Sequence, residues 1–374
     1  MAAASQVWIV IVIVVAAGVG GAGFVAGYEY RGSTAAHPGA AENETLSILA
    51  AATLGPGSNL SFFPTLASDL VSVTPGATSP VAAQDYEGSL DIIDGVSDHS
   101  QVADVAAVAD FRLVPSFLEP KYASYEVVFA ATAEVLVYNA SVSAFAGMTE
   151  ANWGTTIASV ITPAAVAAKT VAPFAVWNAS TDPNGYNEIF SMQLQGKIYG
   201  GGNASVYGHF YNASSNGVPT PNTLDTTPQH EGMAANLIKT GVASALITYR
   251  SYAIANNLTY VPLNPIVGLN ATTTTALRDY ANTTTDIYSS TLAPTKVIAG
   301  PILFAATVPA DAPNPALGAA FLSLLISPEA SAVLSKGGAF VPISPAWTDA
   351  PSAVPSVLAP YVTTFPSWAV GYPP

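Results

Sequence analysis

From residue 46 onward the chain sets short apolar runs beside polar turns and then segments with helical spacing, and that alternation leaves few architectures open. Residues 46–51 (LSILAA) read as a buried parallel strand, and Phe63, Leu66 and Leu70 follow at helical spacing. Residues 70–75 read as a second strand, 89–96 (SLDIIDGV) as a helix and 103–110 (ADVAAVAD) as a third strand. The passage 125–139 (YEVVFAATAEVLVYN) is strand-rich and long, as expected of a crossing between lobes; strands are predicted again within 170–178, 241–249 and 257–263. Residues 296–310 read as paired strands. One helical region follows from Pro315, with Leu317, Phe321, Leu324 and Leu325 at helical spacing, and ends near Gly337. Such alternation predicts the α/β class, with a mostly parallel, doubly wound sheet and helices on both faces. Two such lobes joined by crossing strands would hold a ligand in the cleft between them.

The first residues follow another logic. No charged side chain occurs in residues 1–28, and 7–25 (VWIVIVIVVAAGVGGAGFV) is an uninterrupted apolar run long enough to cross hydrocarbon as a helix. Its length and the lack of a basic leader favour a retained anchor, while the small residues at 18–23 leave a cleaved signal open. Nine N-x-[ST] acceptors, at Asn43, Asn59, Asn139, Asn178, Asn203, Asn212, Asn257, Asn270 and Asn282, all lie after the run. They favour an exported, glycan-bearing body held outside the cell membrane by a bilayer-embedded 7–25. The expected organisation is anchor or signal 1–28, tether 29–45, first lobe 46–132, second lobe 133–290, return to the first lobe 291–345 and C-terminal strap 346–374.

Charge and composition close off other classes. With 10 Lys plus Arg against 24 Asp plus Glu, and a net charge of -14, the chain has no footprint for nucleic acid. Without cysteine it has no thiolate metal site and no thiol nucleophile. The charged fraction of 9% also suits an acidic medium, where carboxylates lose their charge. No G-x-S-x-G elbow, Walker loop or H-E-x-x-H motif occurs, and His37, His99, His209 and His230 are scattered without ligand spacing.

Four polar turns each follow a predicted strand and open a predicted helix, where free N–H groups attract anions. They hold Thr53 (AAATL), Gly88 and Ser89 (EGSL), Asp182 (TDPNGY) and Glu231 (TPQHEGM). Singly, each reads as an ordinary cap or turn.

In their order and spacing these segments resemble the archaeal-type tungstate/molybdate-binding proteins of ABC importers, almost collinearly from about residue 46 to about 345. LSILAAATL resembles the family's first strand and H-A-G-S-L turn, with alanines and Thr53 in place of His-Ala-Gly-Ser. EGSL with ADVAAVADFRLVP resembles G-S-V and A-D-[IV]-x-x-x-A-D-[YF]; TDPNGY resembles D-P-x-G-Y; and PQHEGMAANLIKTGVASALITYRSYA resembles the P-x-x-E helix with its following strand. GPILFAATVP and LLISPEASAVLSKGGAFVP resemble the closing strand and helix. The resemblance implies a type II periplasmic-binding-protein fold, no catalysis, no cofactor, and a monomer that passes tungstate or molybdate to an ABC permease. It also implies that Thr53, Ser89 and Tyr249 donate to the oxyanion while Asp182 and Glu231 coordinate its metal atom. Three other readings stay open: a binder of another oxyanion or a small carboxylate; a glycosylated surface-layer or adhesion protein; and a glycoside hydrolase with Asp182 and Glu231 as acid and base.

Overall fold

The computed structural model describes residues 9–12, 27–30, 45–73, 83–201, 206–212, 218–225, 231–287 and 295–370 of the 374-residue chain. Among them, the larger sheet has seven strands in the order Val362–Thr364, Val341–Thr348, Val127–Ala131, Leu303–Thr307, Val105–Val108, Ser47–Ala51, Ala83–Glu87. A second sheet has five, in the order Thr223–Asp225, Phe174–Val176, Ala245–Tyr249, Glu134–Tyr138, Tyr260–Pro262. The central strands Val105–Val108, Ala245–Tyr249 and Leu303–Thr307 are buried along their whole length, so they are continuous in apolar and small residues rather than alternating.

The chain leaves the seven-stranded sheet at Ala131 and enters the five-stranded one at Glu134, with Thr132 and Ala133 between. It returns through an antiparallel hairpin, Thr284–Ile287 with Thr295–Ile298, into Leu303–Thr307. One loop ties both passages together: the Glu134 N–H donates to the Gly268 carbonyl and the Ile302 N–H to the Leu269 carbonyl, each at 2.8 Å.

Both sheets are mixed, which corrects the expectation of mostly parallel ones. Ser47–Ala51 runs parallel to Ala83–Glu87 and Val105–Val108, and Phe174–Val176 runs parallel to Thr223–Asp225 and Ala245–Tyr249. The strands that carry the chain between lobes are antiparallel to these neighbours: Leu303–Thr307 to Val105–Val108, and Glu134–Tyr138 to Ala245–Tyr249. A strand arriving from the other lobe enters from the opposite end, and so runs against them.

Two element expectations fail for local reasons. Residues 70–73 are not a strand but the end of the helix Phe63–Val73, since buried Phe63, Leu66, Ala67 and Leu70 keep one face turned inward. The second strand is Ala83–Glu87, whose polar sequence (AQDYE) suits its place at the sheet edge. The single helix expected after Pro315 is two, Pro315–Leu325 and Pro328–Leu334, bent by 69°. Ser327 caps the second by accepting from the Ala330 N–H at 3.2 Å, and Pro328 starts it. The strands predicted in 296–310 exist but lie in different sheets.

Most of the run 7–25 lies outside the described residues. Its described part, Ile9–Val12, is not helical but a strand paired antiparallel with Gly27–Tyr30. Among the described residues no single helix is long and apolar enough to cross a membrane. Toward the C-terminus, Val341–Thr348 and Val362–Thr364 extend the larger sheet, and Trp347 packs edge-on against Trp368 with ring centroids 5.9 Å apart.

Candidate functional site between the lobes

The strand Ser47–Ala51 ends in a tight 3-10 turn, Ala52–Leu54, that buries Thr53. The Thr53 hydroxyl lies 3.1 Å from that of Ser251, in the short helix Arg250–Ala255 that continues from the strand Ala245–Tyr249 of the other lobe. The N–H groups of Asn59 and Leu60 cross the same seam to the Ala255 carbonyl, at 2.7 and 3.2 Å.

Ser89 opens the helix Ser89–Ser97, with Gly88 at its cap. Its hydroxyl oxygen accepts from the Ala109 N–H at 2.9 Å, which leaves the hydroxyl proton to donate. The next N–H, of Leu90, donates across the seam to the Thr181 carbonyl at 3.0 Å. A Cβ on Gly88 would stand 2.2 Å from that carbonyl oxygen, so the glycine permits the approach.

Asp182 caps the helix Pro183–Tyr199, accepting from the Asn184 N–H at 2.8 Å, with Pro183 in the first helical position. A Cβ on Gly185 would come within 2.5 Å of the Ala179 nitrogen, which explains the glycine of TDPNGY. One turn further on, the Asn187 amide donates to the phenol oxygen of Tyr249 at 3.3 Å. Contacts between the lobes therefore lie beside Ser89, at Thr181, and at Thr53 with Ser251, while Asn187 ties the helix that Asp182 caps to Tyr249 within one lobe. Glu231 begins the helix Glu231–Lys239, which packs against the Ala52–Leu54 turn and is tied to the seam by the Tyr252 hydroxyl, acceptor of the Ala235 N–H at 2.9 Å. The Glu231 side chain and His230 lie outside the described part.

Buried ionisable groups lie beside this seam. Burial pushes Asp110 upward, but the charge and hydrogen bonds of Arg112, with the Tyr186 hydroxyl, prevail and hold its carboxyl below the usual range. Burial raises Glu134 well above that range, and the charges of Glu188 and Asp182 add to the shift. The Asn184 amide, turned to satisfy both partners, donates to the Glu134 carboxyl at 3.0 Å and accepts from the Thr248 hydroxyl at 3.2 Å. Glu188 is also raised by burial, against the opposing bonds from the Tyr211 hydroxyl and the Trp177 N–H.

Sequence reading gives no role to Ser251, Asn187 or the Asp110, Arg112 and Tyr186 trio, although Asp110 and Tyr186 sit inside the segments ADVAAVADF and TDPNGY. The usable signal was Arg112: in so charge-poor a chain, an arginine two residues after an aspartate at a strand end suggests a buried pair. Of the glycan acceptors, Asn59, Asn257, Asn270 and Asn282 are exposed, while Asn139 and Asn178 are partly covered. The Asn178 side chain accepts from the Ser180 N–H at 2.9 Å within the turn that leads to Asp182. Asn43 and Asn203, and the side chain of Asn212, lie outside the described part.

The model of a family described as bacterial extracellular solute-binding protein matches residues 76–339. Over 265 residues the chain is 27% identical to the molybdate/tungstate-binding protein WtpA of Thermococcus kodakarensis, covering 66% of this chain and 68% of that protein. It is 24% identical over 286 residues to an uncharacterized solute-binding protein of Methanoculleus marisnigri, covering 72% and 77%. Among solved structures, the periplasmic molybdate-binding protein of Azotobacter vinelandii aligns with a TM-score of 0.51 at 13% identity, over 79% of this chain and 98% of that one. A periplasmic thiamin binding protein aligns equally well, with a TM-score of 0.51 at 12% identity over 82% and 85%. These two likenesses give the fold, a mixed α/β periplasmic-binding-protein-like one.

Proposed function

Because the chain belongs to the bacterial extracellular solute-binding protein family, we propose that it captures tungstate or molybdate at the seam between its lobes and delivers the oxyanion to an ABC permease. The observation that carries this reading is the Asp182 carboxylate, buried at the N-terminus of the helix Pro183–Tyr199 and next to Thr181, whose carbonyl accepts from the Leu90 N–H of the other lobe. A carboxylate repels a tetrahedral oxyanion unless it binds the central atom. Tungsten and molybdenum can expand to six ligands, whereas sulfur and phosphorus in sulfate and phosphate do not. In this reading Asp182 and Glu231 supply the two added ligands, and Thr53, Ser89 and Tyr249 donate hydrogen bonds to the oxo groups. The 27% identity to a molybdate/tungstate-binding protein supports the same ligand. The net charge of -14 gives an anion no long-range attraction, so affinity rests on these local groups and on lobe closure. The body would work as a monomer outside the cell membrane.

Thermal unfolding of the full chain with four anions tests the proposal. A ligand present at a hundred times its dissociation constant adds roughly 2.7 kcal/mol to the folded state. Tungstate or molybdate is expected to raise the melting temperature, and sulfate and phosphate to leave it unchanged. Equal shifts with sulfate would point to an ordinary tetrahedral-anion binder, and no shift with any of the four to a different solute.

A further inference from the structure

We infer that Asn187 is a positioning residue of the proposed site: its side-chain amide, bonded to the Tyr249 phenol, turns the phenol O–H away from the helix Pro183–Tyr199 and toward the seam, where it donates to a bound oxo group. The inference rests on the tungstate or molybdate reading for its acceptor, but the bond itself lies within one lobe and does not depend on how the two lobes stand. Asn187 Nδ2 donates to the phenol oxygen at 3.3 Å, and both side chains are buried. Tyr249 ends the strand Ala245–Tyr249, and its ring meets Phe304 of the other lobe edge-on, with centroids 5.7 Å apart. Two residues further, the Ser251 hydroxyl meets that of Thr53, another proposed donor, at 3.1 Å.

A phenol both accepts and donates through one oxygen. With an N–H arriving from Asn187, its own O–H cannot point back along that line and takes the opposite side. A phenol free to rotate would spend part of its time with the proton turned away from a ligand, so fixing it lowers the cost of binding. Asn187 lies five residues after Asp182 in the same helix, so one rigid element carries both the amide that aims the phenol and the carboxylate proposed to bind the metal atom. Asn184, three residues earlier, accepts from the Thr248 hydroxyl at 3.2 Å, so the helix grips the last two residues of the strand. A packing role alone would be met more cheaply by leucine, because asparagine is a weaker helix former and its buried amide costs free energy unless it is bonded.

A double-mutant cycle of Asn187→Leu and Tyr249→Phe, read by titration calorimetry of tungstate on the 374-residue chain, tests this. Tyr249→Phe removes the donor and is expected to weaken binding about tenfold. Asn187→Leu leaves the phenol in place but unaimed, and is expected to weaken binding about three- to tenfold. In the Tyr249→Phe background Asn187→Leu is expected to add less than about twofold, because the amide acts only through the phenol. Equal losses in both backgrounds, or no loss in Asn187→Leu, would overturn the inference. A second readout needs no anion. With the tyrosines isotope-labelled at Cζ, the nuclear magnetic resonance signal missing from Tyr249→Phe belongs to Tyr249, and Asn187→Leu is expected to shift it. A Tyr249 signal that stays in place, or general movement of the tyrosine signals, which marks a disturbed fold, would overturn the inference. If Asn187→Leu does not fold, the Asn187 side-chain amide protons decide: they are expected to shift in Tyr249→Phe, and unmoved protons would overturn it. Wild-type protein that binds neither tungstate nor molybdate but shows the Tyr249 shift would count against the ligand alone and leave the aiming of the phenol standing.

Discussion

Asp182→Asn is expected to weaken tungstate and molybdate binding by at least about a hundredfold while the protein stays folded. Asparagine is as good a helix cap as aspartate, so the bond to the Asn184 N–H survives and only the charge is lost. Outer-sphere partners of bound metals already cost about ten- to a hundredfold when replaced, and a direct ligand should cost no less. The sign of the effect decides the matter. If Asp182 merely borders the anion, removing its charge relieves a repulsion and binding tightens; if it coordinates the metal atom, binding weakens. Glu231→Gln should behave alike. Titration calorimetry of both variants reads the result, and tighter binding in Asp182→Asn would refute the coordination role.

A second large effect is expected from pH in the absence of ligand. Glu126 is fully buried on the strand-rich crossing, and neither carboxyl oxygen has a hydrogen-bond partner among the described residues. Burial raises it well above the carboxylate range, as it does Glu134 and Glu188. Half-covered Glu119 is pushed up to about 8 by burial and by its hydrogen bond and charge contact with Asp349. A glutamate that holds its proton more tightly when folded contributes stability that is complete below the unfolded value of 4.5 and is lost as pH rises through the folded value. Asp110, held low, acts oppositely: its contribution exists above about 3.8 and fades in stronger acid. Stability should therefore peak near pH 4 to 5 and fall toward pH 8, by roughly 5 °C or more in melting temperature. Glu126→Gln should flatten that slope. A melting temperature equal or higher at pH 8 would contradict these assignments. The direction agrees with a surface carrying few charges.

How legible all this was depended on how local the determining physics was. TDPNGY announced its turn because an aspartate cap, a proline in the first helical position and a glycine at a close approach are all set within a few residues. Strand runs such as ALITY were readable because both their faces are buried. The edge strand Ala83–Glu87 was missed because a sheet edge does not demand apolar residues, and 70–73 misled because valine and leucine serve helix and strand alike. The break at Ser327 and Pro328 was written in the sequence, as a serine cap before a proline, but a long apolar spacing masked it. The mixed sheets could not be read, since strand direction follows from which lobe the chain arrives from. Tyr186 and Asp110 are separated by 76 positions and meet only through the packing of two lobes, so no local pattern joins them.

The coordination number of the bound metal separates an anion ligated by Asp182 and Glu231 from one that is only hydrogen-bonded. X-ray absorption at the tungsten or molybdenum edge, on the anion bound to the 374-residue chain, distinguishes a tetrahedral centre from an octahedral one. Six oxygen neighbours are expected, falling to five or four in Asp182→Asn if any anion is retained. A bound anion that keeps the four-coordinate spectrum of free tungstate or molybdate would show that Asp182 and Glu231 do not reach the metal, and would contradict that ligation.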